Sequence, residues 1–206
     1  MESASLPAER TEAQAEPDVS SHLVRMIDFF FALVLGQGLL RFEDVVKDPF
    51  SANPEVWIAL VLIYYTVIRS FIAWHVSIER GHYRIASDHK LTEHCRVYID
   101  AIIVVLYAFM LFSAEPLMND SKSDIGSLLL AFPILFLLYV AWGLLRGVAW
   151  SGNALGLKIL FCFGGLYVVL LCAYEFAPLP FGDAAANAVA MLVALLLMVV
   201  YRCVDT

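Results

Sequence analysis

The sequence has little charge and lacks the motifs of common catalytic sites. Of its 206 residues 16% are charged, whereas soluble domains are about one quarter charged. Its net charge of −7 argues against nucleic acid as a partner, because phosphate binding requires clustered Lys and Arg. There is no P-loop, no G-x-S-x-G and no Rossmann glycine pattern. We therefore expect neither an enzyme nor a bound cofactor.

Cysteine is also scarce. The four cysteines show no paired spacing, so we expect neither a disulfide framework nor a cysteine-based zinc site. Three of them lie in or at apolar segments, and we interpret these as small packing residues: Cys162, Cys172 and Cys203. The fourth is Cys95.

Apolar residues, in contrast, are abundant and occur in long blocks. Hydrophobic residues make up 61% of the chain, and the mean hydropathy is +0.77. A soluble core of this size could not bury so much apolar surface, and blocks of this length are typical of spanning helices. An open sheet is excluded from lipid, and no alternating barrel pattern occurs. We predict an all-α integral membrane protein, a bundle of six transmembrane helices.

Turn-forming residues divide the domain at 22–206 into six apolar segments. Each is close to the roughly 17–25 residues that cross a bilayer. The predicted spans are about Leu23 to Leu40, Val56 to Val76, Val97 to Ser113, Ser127 to Leu145, Ile159 to Tyr174 and Ala184 to Tyr201. Residues 1–21 are polar, acidic and rich in Ala, Ser and Pro, which predicts a disordered cytoplasmic tail.

Basic residues are distributed unevenly between the predicted loops. If the N-terminus is cytoplasmic, the inner segments hold nine of them: Arg10, Arg25, Arg80, Arg84, Lys90, Arg96, Arg146, Lys158 and Arg202. The outer loops hold only Arg41, Lys47 and Lys122. This bias predicts a multi-pass protein with both termini in the cytoplasm. We expect the membrane to be a bacterial inner membrane.

The predicted outer loops are acidic. Their nine carboxylates are Glu43, Asp44, Asp48, Glu55, Glu115, Asp120, Asp124, Glu175 and Asp183. Such a face raises the local concentration of cations. The alternative interpretation is that acidic loops simply remain soluble.

Several charged or polar side chains lie in or beside the first three predicted spans. They are Arg25 and Asp28 in the first, Arg69 and His75 in the second, and Asp100 in the third. Charges within a bilayer are costly and rare. Because all lie toward the cytoplasmic interface, we predict one ion-pair network at a shared depth, with His75 at its edge. It either pins the helices together or controls a pore or proton path.

The first span carries unusually small and polar residues. Ala32, Gly36 and Leu40 share one helical face, and Gln37 is an amide within an apolar stretch. One interpretation is that the glycines are packing notches and Gln37 bonds to a neighbouring helix. The other is a pore-lining helix, with pore-lining candidates Ala32, Gly36, Gln37 and Leu40.

Four of the five histidines lie in or beside the segment between the second and third spans: His75, His82, His89 and His94. A single zinc site is an alternative for them. We interpret them as interfacial residues and predict no metal.

Three segments resemble a known family. Residues 25–29 match the R-x-x-x-F part of an R-x-x-x-F-S-D signature, followed by Phe30 and Phe31 in place of Ser and Asp. Residues 71–75 form an aromatic stretch ending in Trp-His, and Asp100 stands where the family often has Asn. The chain thereby resembles the transmembrane protein 175 family, potassium channels of endolysosomes and bacteria. The resemblance implies four copies around a pore lined by the first helix.

Three functions follow as hypotheses. The leading one is a homo-oligomeric cation channel in membrane lipid, a tetramer conducting monovalent cations such as potassium if the resemblance holds. The second is a non-conducting sensor or scaffold subunit that works with a soluble partner. The third is a histidine-containing membrane enzyme or metal transporter.

Overall fold

The computed structural model describes residues 19–48, 50, 52–79, 90–119, 123–145, 154–176 and 182–204. Throughout these ranges the regular elements are helices and no strand occurs, which confirms the all-α prediction. The helices are α1 (Val19–Arg41), α2 (Glu43–Lys47), α3 (Pro54–Glu79), α4 (Lys90–Ala114), α5 (Gly126–Leu145), α6 (Ala154–Phe176) and α7 (Asp183–Val204). A 3₁₀ turn, Glu115–Met118, follows α4.

Among the described residues, five helices are long and apolar enough to cross a bilayer. These segments are Pro54–Ser77, Cys95–Met118, Gly126–Leu145, Leu155–Phe176 and Asp183–Val204. They correspond to the second to sixth predicted spans, and they make the chain a multi-pass membrane protein. Helix α1 is not among the five, and it carries three charged residues: Arg25, Asp28 and Arg41.

The five apolar helices close into a ring. Helix α3 packs on α4, α4 on α5, α5 on α6, α6 on α7, and α7 returns to α3. Helix α1 lies outside this ring, against α4 and α3. Helix α6 is therefore on the far side of the bundle from α1.

Aromatic side chains fill the space between α5, α6 and α7. Phe136 lies 4.9 Å from Tyr201 and 5.3 Å from Tyr167, measured between ring centroids. The hydroxyl of Tyr167 donates a 2.6 Å hydrogen bond to the carbonyl of Ala194. Close packing and interhelical hydrogen bonds of this kind hold helices together in lipid, where the hydrophobic effect between helices is absent.

Helix α6 is the most exposed of the five. Only 11% of its apolar segment is buried, because its main contacts are with α5 and α7. Its outward side chains include Phe161, Leu166 and Val169. The prediction that Cys162, Cys172 and Cys203 are packing residues is wrong, since all three are exposed. Their segments are apolar because they face outward into lipid as well as inward.

The predicted tail and the first helix overlap. Helix α1 begins at Val19, so it includes the last three residues of the predicted disordered segment at 1–21. The remainder of that segment, residues 1–18, lies outside the described residues.

Candidate functional site

Helix α1 presents one face to the bundle. Ile27, Phe31 and Val34 are buried on that face. The ring of Phe31 lies 4.9 Å from that of Phe71 on α3 and 5.9 Å from that of Tyr107 on α4. The apolar middle of α1 is thereby seated over the junction of α3 and α4.

One glycine lets α1 approach α3 closely. The hydroxyl of Tyr64 donates a 2.9 Å hydrogen bond to the carbonyl of Leu35. A Cβ atom at Gly38 would lie 2.6 Å from that hydroxyl oxygen and 3.0 Å from a methyl carbon of Leu111. The first distance is shorter than real Cβ contacts and the second is tighter than most, so Tyr64 and Leu111 would both have to move. Gly38 is therefore the packing notch of α1.

The end of α1 at Arg41 is fixed by charge. Arg41 forms an ion pair with Glu115, in the turn that follows α4. Its guanidinium carbon also lies 4.1 Å above the ring of Phe112. A cation over an aromatic face adds electrostatic attraction to the ion pair. This end of α1 is held against α4.

The opposite face of α1 is uncovered. The four predicted pore-lining residues, Ala32, Gly36, Gln37 and Leu40, are all exposed, Leu40 to 65%. No atom lies within 4 Å of a Cβ placed at Gly36. Gly36 and Gly38 are thus opposites: one faces open space and the other faces α3.

The predicted polar network is present in part. His75 Nε2 lies 3.0 Å from Asp28 Oδ1 and joins α3 to α1. The next residue back, Trp74, donates from Nε1 to Asp100 Oδ2 at 3.3 Å and joins α3 to α4. Asp28 and Asp100 therefore lie at a similar depth, because each contacts one of two adjacent residues of α3.

The structure does not bring the two predicted arginines into this network. Within the described residues, neither Arg25 nor Arg69 makes an ion pair or a hydrogen bond, so the predicted Arg69 pairing with either acid is wrong. Arg69 precedes His75 by six residues, which turns its side chain about 120° around α3 and places it about 9 Å away along the axis. The expectation of one shared depth is wrong for Arg69.

A second polar cluster was missed at the sequence level. Arg202 Nη2 donates to Ser70 Oγ at 2.8 Å and to Tyr139 Oη at 3.3 Å. Ser70 and Tyr139 also share a hydrogen bond, and Tyr107 Oη lies 2.9 Å from Tyr139 Oη. The cluster joins α3, α4, α5 and α7. Arg202 and Arg96 were counted as loop charges, yet they are 6% and 3% exposed.

Both buried arginines, Arg96 and Arg202, lie against aromatic rings. The guanidinium of Arg96 lies 5.0 Å from the ring of Trp142, and that of Arg202 lies 5.0 Å from the ring of Tyr201. Aromatic faces and hydroxyls stabilise a buried guanidinium in lipid. The available sequence signal was an Arg within one turn of a span end, Arg96 at the start of the α4 span and Arg202 near the end of α7.

We expect Asp28 and His75 to be energetically coupled. In a double-mutant cycle, Asp28→Asn and His75→Gln should show a coupling of about 0.5 kcal/mol, modest because both side chains are partly exposed. The matched cycle of Asp28→Asn with Arg69→Gln should show none. Thermal unfolding in detergent measures both cycles, and coupling to Arg69 alone would contradict the observed pairing.

The structure describes only part of the histidine-containing segment between α3 and α4. His82 and His89, and the side chain of His94, lie outside the described residues. Among the residues that the structure does describe, no group of three His, Cys, Asp or Glu side chains could hold a metal ion.

Comparisons with protein-family models, with curated proteins and with solved structures returned no match.

Proposed function

We propose that the chain is one subunit of a homo-oligomeric cation channel, with the uncovered face of α1 lining a pore on the symmetry axis. The observation that supports this proposal is the two-sided character of α1. One side is anchored by Phe31, Gly38 and Arg41, while the other carries Ala32, Gly36, Gln37 and Leu40 with nothing against it.

Gln37 favours water over lipid on this face. An amide that faces hydrocarbon without a partner costs several kcal/mol, whereas in a pore it is hydrated. The exposed face of α6 offers a contrast, because it carries Phe161, Leu166 and Val169 and the helix contains no amide side chain. With α1 and α6 on opposite sides of the bundle, a ring of copies places α1 at the axis and α6 at the rim.

The proposal makes α1 a sixth membrane span. Its 23 residues extend about 35 Å, which matches the hydrocarbon thickness. It runs beside α3 and α4 from the Asp28–His75 contact to the Arg41–Glu115 pair. Both termini then lie on one side of the membrane, and the basic bias of the sequence makes that side the cytoplasm.

Cysteine labelling tests this orientation. In a background without the native cysteines, Asn119→Cys at the exposed turn after α4 should react with an impermeant reagent added outside intact cells. Ser87→Cys, between α3 and α4, should react only after the membrane is opened. The opposite pattern would show that the orientation is inverted.

Cations are the proposed permeant species because the predicted outer face of the protein is negatively charged. Asp124, Glu175 and Asp183 lie at the membrane end where α5 and α7 begin and α6 ends. These acids make the outer face of the bundle acidic, which would raise the local concentration of cations on that side of the membrane. Potassium as the ion and four as the number of copies follow from the resemblance of residues 25–29 and 71–75 to the transmembrane protein 175 family.

The proposal is tested by reconstitution. Purified protein in potassium-loaded liposomes should release potassium, and cross-linking in the same liposomes should give a single closed oligomer. Monomeric protein would contradict the shared pore. An oligomer without ion flux would contradict the channel and favour the non-conducting scaffold.

A further inference from the structure

Arg69 lies on the outward-facing stripe of α3. Ile72 and Val76, three and seven residues further along, are 45% and 38% exposed. Ile68, the residue before Arg69, is 44% exposed. Arg69 therefore shares the exposed side of α3 with apolar side chains, and it is itself partly buried.

Within the part of the chain that the structure describes, the Arg69 guanidinium has no ion pair and no hydrogen bond, although its Nε is shielded from solvent. An arginine on a membrane-facing surface is strongly unfavourable when it has no counter-charge. Such a residue calls for an anionic group from outside the chain.

The depth of Arg69 identifies where that group must lie. Arg202, two residues before the end of α7, bonds to Ser70, which adjoins Arg69 in sequence. Arg69 therefore lies near the level of the last turn of α7, and it stands eight residues, about 12 Å, before the inner end of the apolar segment of α3 at Ser77. A long Arg side chain can extend part of that distance toward the headgroups of the inner leaflet.

We propose that Arg69 binds the phosphate of an anionic phospholipid in the inner leaflet, beside the seam between α3 and α7. The planar guanidinium can donate two parallel hydrogen bonds to phosphate oxygens. Ile68 and Ile72 lie where acyl chains would pass. The positive charge of Arg202, one helix away, adds to the potential at the phosphate.

Two features select an anionic lipid over its competitors. A zwitterionic headgroup brings its own cation, which competes with the guanidinium for the phosphate. Free phosphate lacks the acyl chains that would contact Ile68 and Ile72. The proposal concerns the lipid-facing side of the bundle and does not depend on ion conduction.

Native mass spectrometry of the detergent-solubilised protein tests the site. The wild type should retain phosphatidylglycerol in preference to phosphatidylcholine, and inorganic phosphate should not displace it. Arg69→Gln should weaken phosphatidylglycerol binding about fivefold, which corresponds to about 1 kcal/mol for one basic residue near a headgroup layer.

The matched control is Lys158→Gln. It removes an exposed basic side chain of α6 on the same side of the membrane and should leave phosphatidylglycerol binding unchanged. Arg69→Lys keeps the charge but loses the two-pronged geometry, so it should weaken binding by a smaller factor. It is the variant to measure if Arg69→Gln does not fold. Undiminished binding by Arg69→Gln, or an equal loss in Lys158→Gln, would overturn the proposal.

Discussion

Replacing Gly38 with Leu should detach α1 from the bundle and lower the free energy of unfolding by roughly 3 kcal/mol. The physical reason is contact distance: even the first added carbon would lie 2.6 Å from the Tyr64 hydroxyl and 3.0 Å from Leu111. The larger side chain would also disrupt the hydrogen bond from Tyr64 to the Leu35 carbonyl. Thermal unfolding in detergent, followed by circular dichroism, measures the loss.

Gly36 supplies the control for this experiment, since it is only two residues away on the same helix. No atom lies within 4 Å of a Cβ there, so Gly36→Leu should change the unfolding free energy of a single subunit by less than about 0.5 kcal/mol. Equal losses at both glycines would show that α1 does not pack on α3 with the observed rotation.

The same Gly36→Leu substitution should abolish potassium flux while leaving the oligomer intact. Four or more copies of an added isobutyl group at the axis would fill a narrow pore with apolar side chains, and such a constriction blocks ions by dewetting. Leu40→Ser, one turn further on the same face, should do the reverse and raise flux. Potassium release from liposomes, normalised to oligomer content, measures both changes.

Gly165 on α6 is the matched control for a glycine in open space. It is exposed and has no atom within 4 Å of a built Cβ, but it lies on the side of the bundle far from α1. Gly165→Leu should therefore leave flux unchanged. If Gly36→Leu conducts as well as Gly165→Leu does, the pore is not at this face of α1.

Five of the spans could be predicted from the sequence because the length of an apolar segment can be counted directly along the chain. The segments from Val56 to Tyr201 were recognised to within a few residues by uninterrupted apolar composition. The first segment was harder, because Arg25, Asp28 and Gln37 interrupt its apolar run. Its packing on α3 and α4 is a tertiary property that hydropathy does not contain.

Side-chain pairing was predicted less well, because it depends on rotation about each helix axis. Asp28 and Asp100 were expected beside the inner part of α3, and their partners there are His75 and Trp74. Arg69 was assigned to them by approximate depth, but a displacement of six residues turns it to another face. Opposite charge alone did not decide which residues meet.

The roles of the two glycines beside Gln37 also could not be predicted, because they too depend on rotation about the helix axis. Gly36 and Gly38 are equivalent in composition, and either could be a notch or an open position. They differ by about 200° of rotation, so only one can face α3. The contacts of Tyr64 and Leu111 identify it as Gly38.

The central claim is that the uncovered face of α1 borders water shared by several copies, and thiol accessibility tests it most directly. A single Gly36→Cys, in a background without native cysteines, is reconstituted and treated with a charged, membrane-impermeant thiol reagent while potassium flux is recorded. Gly36→Cys should be modified and flux should fall, whereas Gly165→Cys should remain unmodified in lipid. Unmodified Gly36→Cys in liposomes that still conduct, or modification without any change in flux, would contradict the account.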